Sequence, residues 1–470
     1  MVPSAMDIPK LTSKSIKIES PFTWDLDLEQ VCNFHEEEIE LSHCEESPIL
    51  RLIEMNTLAY IRCMQMKFVA AEELIGEIDD VWKKMCKSVS EQRYYSVDVL
   101  AHVKDATAFC IYSMIRKKEQ ARALEMKMKD AKNFISDIEK GTLFGSQAIA
   151  SSLFFEKSAN RSFELAKSAS SCVPNCALWH YLTAKCLRKK RRYHDFCLIV
   201  SNEEETEFLK CYELSPSDHY GICVARMYKE SKNWKKSSEI CNEIYLKNPN
   251  DVRVRLLLAL FFITQKDFIK AKDCLDYVGK LLSPEKTPKT YYHYLAKYYE
   301  ETNDYPKAKE NYLKATGGTG NFPADMDYLN LIRNTSQSKF DYEIIKHLKS
   351  MLNKYEDNQN LVTHILLNLA VIYLFDAKNY KLAADYFLKA IKTNPCDPQL
   401  ENFQTRIISK KHYNIYELIR KNILTVNKNN YGNALKDLKN YCTEYKKRIA
   451  KTNVSDSLET KFAEKLSLEN

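Results

Sequence analysis

Glycine is scarce, with nine residues in a chain of 470. That leaves little room for glycine-dependent turns and hairpins. With Lys, Glu, Leu and Tyr abundant, it points to an all-helical chain. Long apolar runs are missing as well. The longest, Leu256 to Ile263, is too short to span a bilayer. The stretch from Met1 to Ser20 lacks the apolar segment of a secretory signal. Gly317-Gly318-Thr319-Gly320 has no Lys-Ser/Thr behind it and reads as an inter-repeat turn, not a phosphate-binding loop. There is no Gly-x-Ser-x-Gly elbow and no His-Glu-x-x-His pair. Cys172, Cys176 and His180 recur at i, i+4 and i+8, but a closed zinc site needs a fourth ligand and none is at hand. The expectation is a protein without catalytic machinery, metal or cofactor. Charge is only mildly unbalanced, at +7 with a pI near 8.5, which permits an anionic partner without demanding one. The fifteen cysteines are scattered and mostly on apolar helix positions (Cys186, Cys211, Cys223, Cys241, Cys274). They read as reduced thiols of a cytoplasmic protein.

What is present is a repeat. Val224, Ala225, Tyr228, Ser237, Cys241, Ile244 and Pro249 mark one block. Leu258, Ala259, Phe262, Ala271, Leu275, Val278 and Ser283 follow at an offset of about 34 residues. Leu295, Ala296, Tyr299, Ala308, Tyr312 and Ala315 form a third copy after three extra residues. This is the tetratricopeptide pattern, a helix-turn-helix unit whose small residues sit where two helices cross. The fold class is therefore all-α, a right-handed tetratricopeptide superhelix (α-solenoid) of about eight or nine helix pairs.

The rest of the chain is looser. Residues 1–20 read as flexible, and 22–52 as acidic, with a helix from Asp25 through Glu46. A first repeat carries Leu58, Ala59, Arg62, Ala71 and Ile75. A second carries Phe109, Tyr112 and Ala121, with a charged helix over Gln120 to Lys132. Residues 148–174 form a degenerate third unit. The fourth has Trp179, Leu182, Thr183 and Cys186, then an insertion before Phe208, Cys211 and Pro216. Residues 326–353 read as a weak helix pair. Leu369, Ala370, Tyr373, Ala383, Phe387 and Ala390 mark a last good repeat. Terminal helices occupy 399–450 and a frayed tail 451–470. Domain boundaries fall at 1–20, 21–320, 321–450 and 451–470.

Helical geometry at about 100° per residue assigns faces. Positions opposite the partner helix would line the concave groove. They are His180 and Arg188; His219, Arg226, Arg253, Leu256 and Leu260; and His293, Lys297 and Glu301, with Tyr220 and Tyr294 as aromatic neighbours. Cations beside aromatic faces suit a phosphate-bearing ligand whose bases stack. The competing reading is a solvated helix face. The run Arg188-Lys189-Lys190-Arg191-Arg192 has three readings: a solvated helix end, phosphate contacts, or a localisation signal. Candidate RNA-binding residues are Arg188, Lys189, Arg191, His219, Tyr220, Arg226, Arg253, His293, Tyr294 and Lys297.

Phe22-Thr23-Trp24-Asp25-Leu26, followed by Asn56-Thr57-Leu58-Ala59-Tyr60-Ile61, resembles the opening of the interferon-induced proteins with tetratricopeptide repeats. Ala108 to Ala121 and Tyr292-His293-Tyr294-Leu295-Ala296-Lys297-Tyr298-Tyr299 resemble later segments of that family, over about residues 20–320. The resemblance implies a non-catalytic protein of innate antiviral type. Such a protein holds single-stranded RNA by its 5′ end in a basic pocket, sequesters it from translation and associates with other proteins, including copies of itself. Carried over by register, the family's pocket arginine falls on Arg188, its Arg-Tyr pair on His293 and Tyr294, and a further tyrosine on His219 or Tyr220. The family's tryptophan and lysine fall near Ile149 and Leu153, which do not match. The alternative is a scaffold whose groove holds a peptide or partner helix, the usual work of such repeats.

Overall fold

The computed structural model describes residues 16–32, 48–87, 93–194, 199–283, 287–318, 321–336, 342–356, 358–395, 397–405, 407–408, 411–425 and 434–448. Two compact units divide the chain, Met1–Gln265 and Lys266–Asn470. The first carries α1 (Leu28–Cys32), α2 (Pro48–Met64), α3 (Phe68–Lys87), α4 (Val97–Met114), α5 (Lys118–Lys127), α6 (Asp137–Leu153), α7 (Phe155–Cys172), α8 (Ala177–His194), α9 (Asn202–Leu214), α10 (Asp218–Glu230), α11 (Trp234–Leu246) and α12 (Val252–Gln265). The second carries α13 (Phe268–Leu281), α14 (Lys289–Glu301), α15 (Tyr305–Thr316), α16 (Phe322–Thr335), α17 (Tyr342–Lys354), α18 (Gln359–Phe375) and α19 (Tyr380–Thr393). A strand pair, β1 (Phe403–Gln404) and β2 (His412–Tyr413), and α20 (Ile415–Asn422) follow. A last helical stretch occupies 434–448. No helix among the described residues is long and apolar enough to cross a membrane.

Successive helices pair as antiparallel hairpins: α2 with α3, α4 with α5, α6 with α7, α8 with α9 and α10 with α11. The first helices also stack, α2 on α4 and α6, α4 on α6, α6 on α8 and α10 on α12. Small residues set the crossings. Ala225 and Ser237 are buried where α10 meets α11, and the Ser237 hydroxyl donates to the Ala225 carbonyl at 2.8 Å. At Gly145 the approach is closer still. A Cβ there would lie 2.7 Å from Cε3 of the fully buried Trp179, and nearer to two other atoms of the same ring.

The turns inside the hairpins explain how the chain does without glycine. Met66, Arg116, Lys232, Asn303 and Lys378 adopt left-handed backbone with φ from 50° to 63°. After the first four, the next residue's N–H reaches back to close the helix end, as Asn233 does to the Tyr228 carbonyl at 2.8 Å. Such a position usually takes Gly and costs another residue roughly 1 kcal/mol. Side-chain caps then start the following helix: Asn233, Asp304 and Asn379 each accept from a backbone N–H of the first turn.

Several expectations shift. The helix expected from Asp25 begins at Leu28, because Asp25 takes left-handed backbone (φ 56°). Residues 33–47 lie outside the described residues. The helix expected through Lys132 stops at Lys127. Met128 turns extended and is buried with Ile18 and Phe109. The third unit starts at Asp137, not 148, behind a capping box in which Ser136 and Glu139 satisfy each other's backbone N–H. Within 399–450 a short antiparallel strand pair, Phe403 with Tyr413 and Gln404 with His412, precedes the helices. It is anchored by buried Phe403 and by the Thr405 hydroxyl on Asn368.

The segment 16–24 crosses the first unit as a strap. The Ala131 N–H donates to the Lys17 carbonyl at 3.1 Å. The Glu19 N–H donates to His102 Nε2 of α4. The buried Glu19 carboxylate accepts from the Trp24 indole and from Gln147 of α6. Arg161 of α7 donates to the Trp24 and Asp25 carbonyls at 2.8 and 3.0 Å.

Candidate nucleic-acid interface

In the first unit the candidate residues gather on α8, α10 and α12. Tyr181, Lys185 and Arg188 recur at i, i+4 and i+7, one stripe of α8. His219, Cys223, Arg226 and Glu230 do the same on α10, and Arg253 opens α12. The Tyr181 ring lies 5.3 Å from His219 and 5.4 Å from Tyr220. The Lys185 ammonium lies 5.9 Å from the Tyr181 ring centre, within reach of its electron-rich face. Arg253, Arg188, Arg226 and Lys185 all act on the thiol of Cys223, pulling against the burial that raises its pKa.

The arginines converge on a carboxylate. Arg188 forks onto Glu230, with Nε 3.1 Å from Oε2 and Nη2 on Oε1. Arg191 Nη2 donates to Glu230 Oε2 at 2.5 Å. It also forks onto the buried Glu204 at 2.8 and 2.9 Å. Arg192 and Arg226 stand 3.5 and 3.8 Å from Glu230 Oε1. Burial alone would raise the Glu230 pKa. The bonds and charge of Arg188, with Arg191 and Arg192 behind it, bring it down to about 2.

Two candidates point elsewhere. The Lys189 ammonium donates to the Ser152 carbonyl of α6 at 2.9 Å. Its burial, with Lys185 nearby, pulls the pKa down to about 8. His180 does not line the groove. Its Nδ1–H donates to Glu207 of α9 at 2.6 Å and its Nε2–H to the Pro174 carbonyl at 2.8 Å. Burial opposes its charge, but the Glu207 bond prevails and raises the pKa. Tyr181, one residue on, takes the place beside His219.

His219 is 6% exposed. Its burial, reinforced by Arg253 and Lys185, holds its pKa down at about 4. The unfolded chain takes up a proton near pH 6.5 and the folded chain does not, so stability falls as pH drops from 6.5 towards 4. Between those limits the difference approaches roughly 3 kcal/mol. Urea unfolding from pH 7 to 4 should therefore show the stability gap between wild type and His219→Gln constant above 6.5 and shifting against wild type below it. A gap constant over the whole range contradicts the assignment.

His293, Tyr294 and Lys297 belong to the second unit. His293 Nε2 and the Lys297 ammonium each lie 2.8 Å from Asp327 Oδ2. Burial would raise the Asp327 pKa, but His293 and Lys297 hold it down at about 2. The Tyr294 ring lies 5.5 Å from His293. Sequence reasoning missed Tyr181, Lys185, Glu204 and Glu230. Spacing held a signal for three of them: Tyr181 and Lys185 share Arg188's stripe, and Glu230 follows Arg226 at i+4.

No family model matches this chain, and no curated protein matches it in sequence. Solved structures match its fold. The human IFIT1 dimer with m7Gppp-AAAA aligns with TM-score 0.58 at 14% identity, over 93% of this chain and 98% of that one. The human IFIT1 dimer with PPP-AAAA aligns with TM-score 0.57 at 14% identity over the same shares. An IFIT1 monomeric mutant with Gppp-AAAA gives 0.58 at 14%, over 91% and 98%. At such identity the likeness is one of architecture: the chain has an IFIT-like solenoid fold of the tetratricopeptide type.

Proposed function

We propose that the protein is a non-catalytic binder of single-stranded RNA that takes the 5′ phosphates onto the cation cluster of α8, α10 and α12. The observation that carries this reading is the gathering of Arg188, Arg191, Arg192 and Arg226 on one carboxylate, with Lys185 against the Tyr181 ring and that ring beside Tyr220. Cations neutralise phosphate and release counterions, while aromatic faces accept a stacked base. The human IFIT1 structures solved with m7Gppp-AAAA and PPP-AAAA lend the same ligand class to this architecture. On this reading the protein works in the cytoplasm, in antiviral-type defence, with other proteins or a second copy of itself among its partners. His293, Tyr294 and Lys297 are proposed as further RNA contacts.

The test compares a short single-stranded RNA bearing a 5′-triphosphate with the same RNA bearing a 5′-hydroxyl, at about 50 and about 200 mM salt. The triphosphate RNA should bind more tightly. Its affinity should fall with salt by a log–log slope of about 0.7 per phosphate contact. Equal, weak, salt-sensitive binding of both would reduce the site to a generic basic surface. No binding at low salt would remove RNA from the reading and leave the groove to a peptide or partner helix.

A further inference from the structure

Glu230 is the last residue of α10, and its carboxylate takes arginines from two helices: Arg188, Arg191 and Arg192 of α8 and Arg226 of α10. Both oxygens are engaged. The geometry is that of an anion seated in an arginine cradle, with the anion supplied by the protein itself. We infer that Glu230 is a built-in competitor, holding the place of a ligand's phosphate and setting the charge that an incoming anion must carry to displace it. This rests on the phosphate-binding reading of the same cluster and adds a selectivity determinant to it.

Displacing Glu230 is an exchange of anions. Guanidinium–carboxylate forks and guanidinium–phosphate forks are alike in geometry and strength. A single phosphodiester that displaces Glu230 trades one monovalent partner for another, and it must leave a carboxylate beside it. A terminal polyphosphate brings several charges to the same arginines and to Lys185 and Arg253 beyond them, so it gains where the diester breaks even. Removing the Glu230 charge while keeping its shape takes away the competitor. Glu204 then remains to hold Arg191 in place.

The experiment measures binding of inorganic tripolyphosphate, of 5′-triphosphate RNA and of 5′-hydroxyl RNA to the full chain and to Glu230→Gln. Thermal unfolding is followed alongside. The variant is expected to bind tripolyphosphate about tenfold more tightly, the order of one charge-assisted competitor made neutral. It should also gain measurable affinity for the 5′-hydroxyl RNA. Without ligand it should melt lower than wild type, and tripolyphosphate should raise its midpoint by more. Unchanged or weaker tripolyphosphate binding overturns the proposal and makes Glu230 an organiser of the arginines. Should Glu230→Gln not fold, Glu230→Asp withdraws the carboxylate by one methylene. It should move affinity the same way by about threefold, and no gain there overturns the proposal equally. The RNA reading stands or falls separately. If tripolyphosphate behaves as expected and neither RNA binds, the competitor stands and RNA is the wrong ligand. If triphosphate RNA binds well and the variant gains nothing, the reverse holds.

Discussion

Arg188→Glu should weaken binding of 5′-triphosphate RNA at least about a hundredfold, equivalent to about 2.7 kcal/mol. Arg188 grips the Glu230 carboxylate with a planar fork, through Nε and Nη2. A fork of this kind has no substitute among single-point donors. The change removes one positive charge, adds a negative one and places it against Glu230, so any phosphate near that position meets two carboxylates where it met a guanidinium. Arg188→Gln, which only deletes the charge, should lose about tenfold. Lys83→Glu is the control. Its side chain is 69% exposed on α3 and pairs with the equally exposed Asp80, so affinity should hold within about twofold. Circular dichroism and thermal unfolding of each variant separate lost binding from lost folding. If Arg188→Glu binds as wild type does, the cluster is not where the phosphates go.

Asp325→Ala should cost about 3–5 kcal/mol of stability, concentrated in the second unit. Asp325 lies in the first turn of α16 with no exposed surface, and its carboxylate is held from α17 and the residue just beyond it. His347 Nε2 stands at 2.7 Å. The Lys354 ammonium donates to both oxygens at 3.0 and 3.1 Å, and the Tyr355 hydroxyl donates at 2.6 Å. Deleting the carboxylate takes its anionic partner from Lys354, which keeps the Thr316 carbonyl and the face of the Tyr355 ring, and leaves a half-buried phenol without its acceptor. Such removal is costly because the remaining groups have already given up water. Hydrogen exchange should show α16 to α18 opening first, with amides of α8 and α10 unchanged, since repeat units pass stability mainly to their neighbours. A loss below about 1 kcal/mol would mean that water replaces the carboxylate.

Much of the fold was legible because tetratricopeptide hairpins repeat a steric requirement. Ala225, Ala259 and Ala296 occupy one offset and Ser237, Ala271 and Ala308 another, and all are buried. Boundaries were harder where a distant segment decides them. Helix α5 ends at Lys127 because Met128 joins Ile18 in a small apolar cluster, and no local residue announces that. The left-handed turn residues Lys232 and Asn303 carry no glycine signal. At the site, spacing put Arg188 and Arg226 on the helix stripes that meet at Glu230. It erred at His180, where a shift of one residue on a helix is a rotation of about 100°. It also passed over Glu230, whose tie to Arg188 spans 42 positions and belongs to tertiary packing.

The strap over the first unit carries a consequence for how the chain folds. In a stack of hairpins nearly all contacts are close in sequence, which favours fast, piecemeal folding. The bonds from Arg161 to Trp24 and from Gln147 to Glu19 span 137 and 128 positions. They raise the contact order of a region that would otherwise have little. Closing a loop of that length costs only about 0.6 kcal/mol more for each doubling, so the penalty falls on timing more than on equilibrium. During synthesis the amino-terminal segment must wait for α7 before it can be clasped. Once clasped, α4, α6 and α7 share a tie that skips their neighbours, and the amino-terminal hairpins open and close as one cooperative block instead of fraying one at a time.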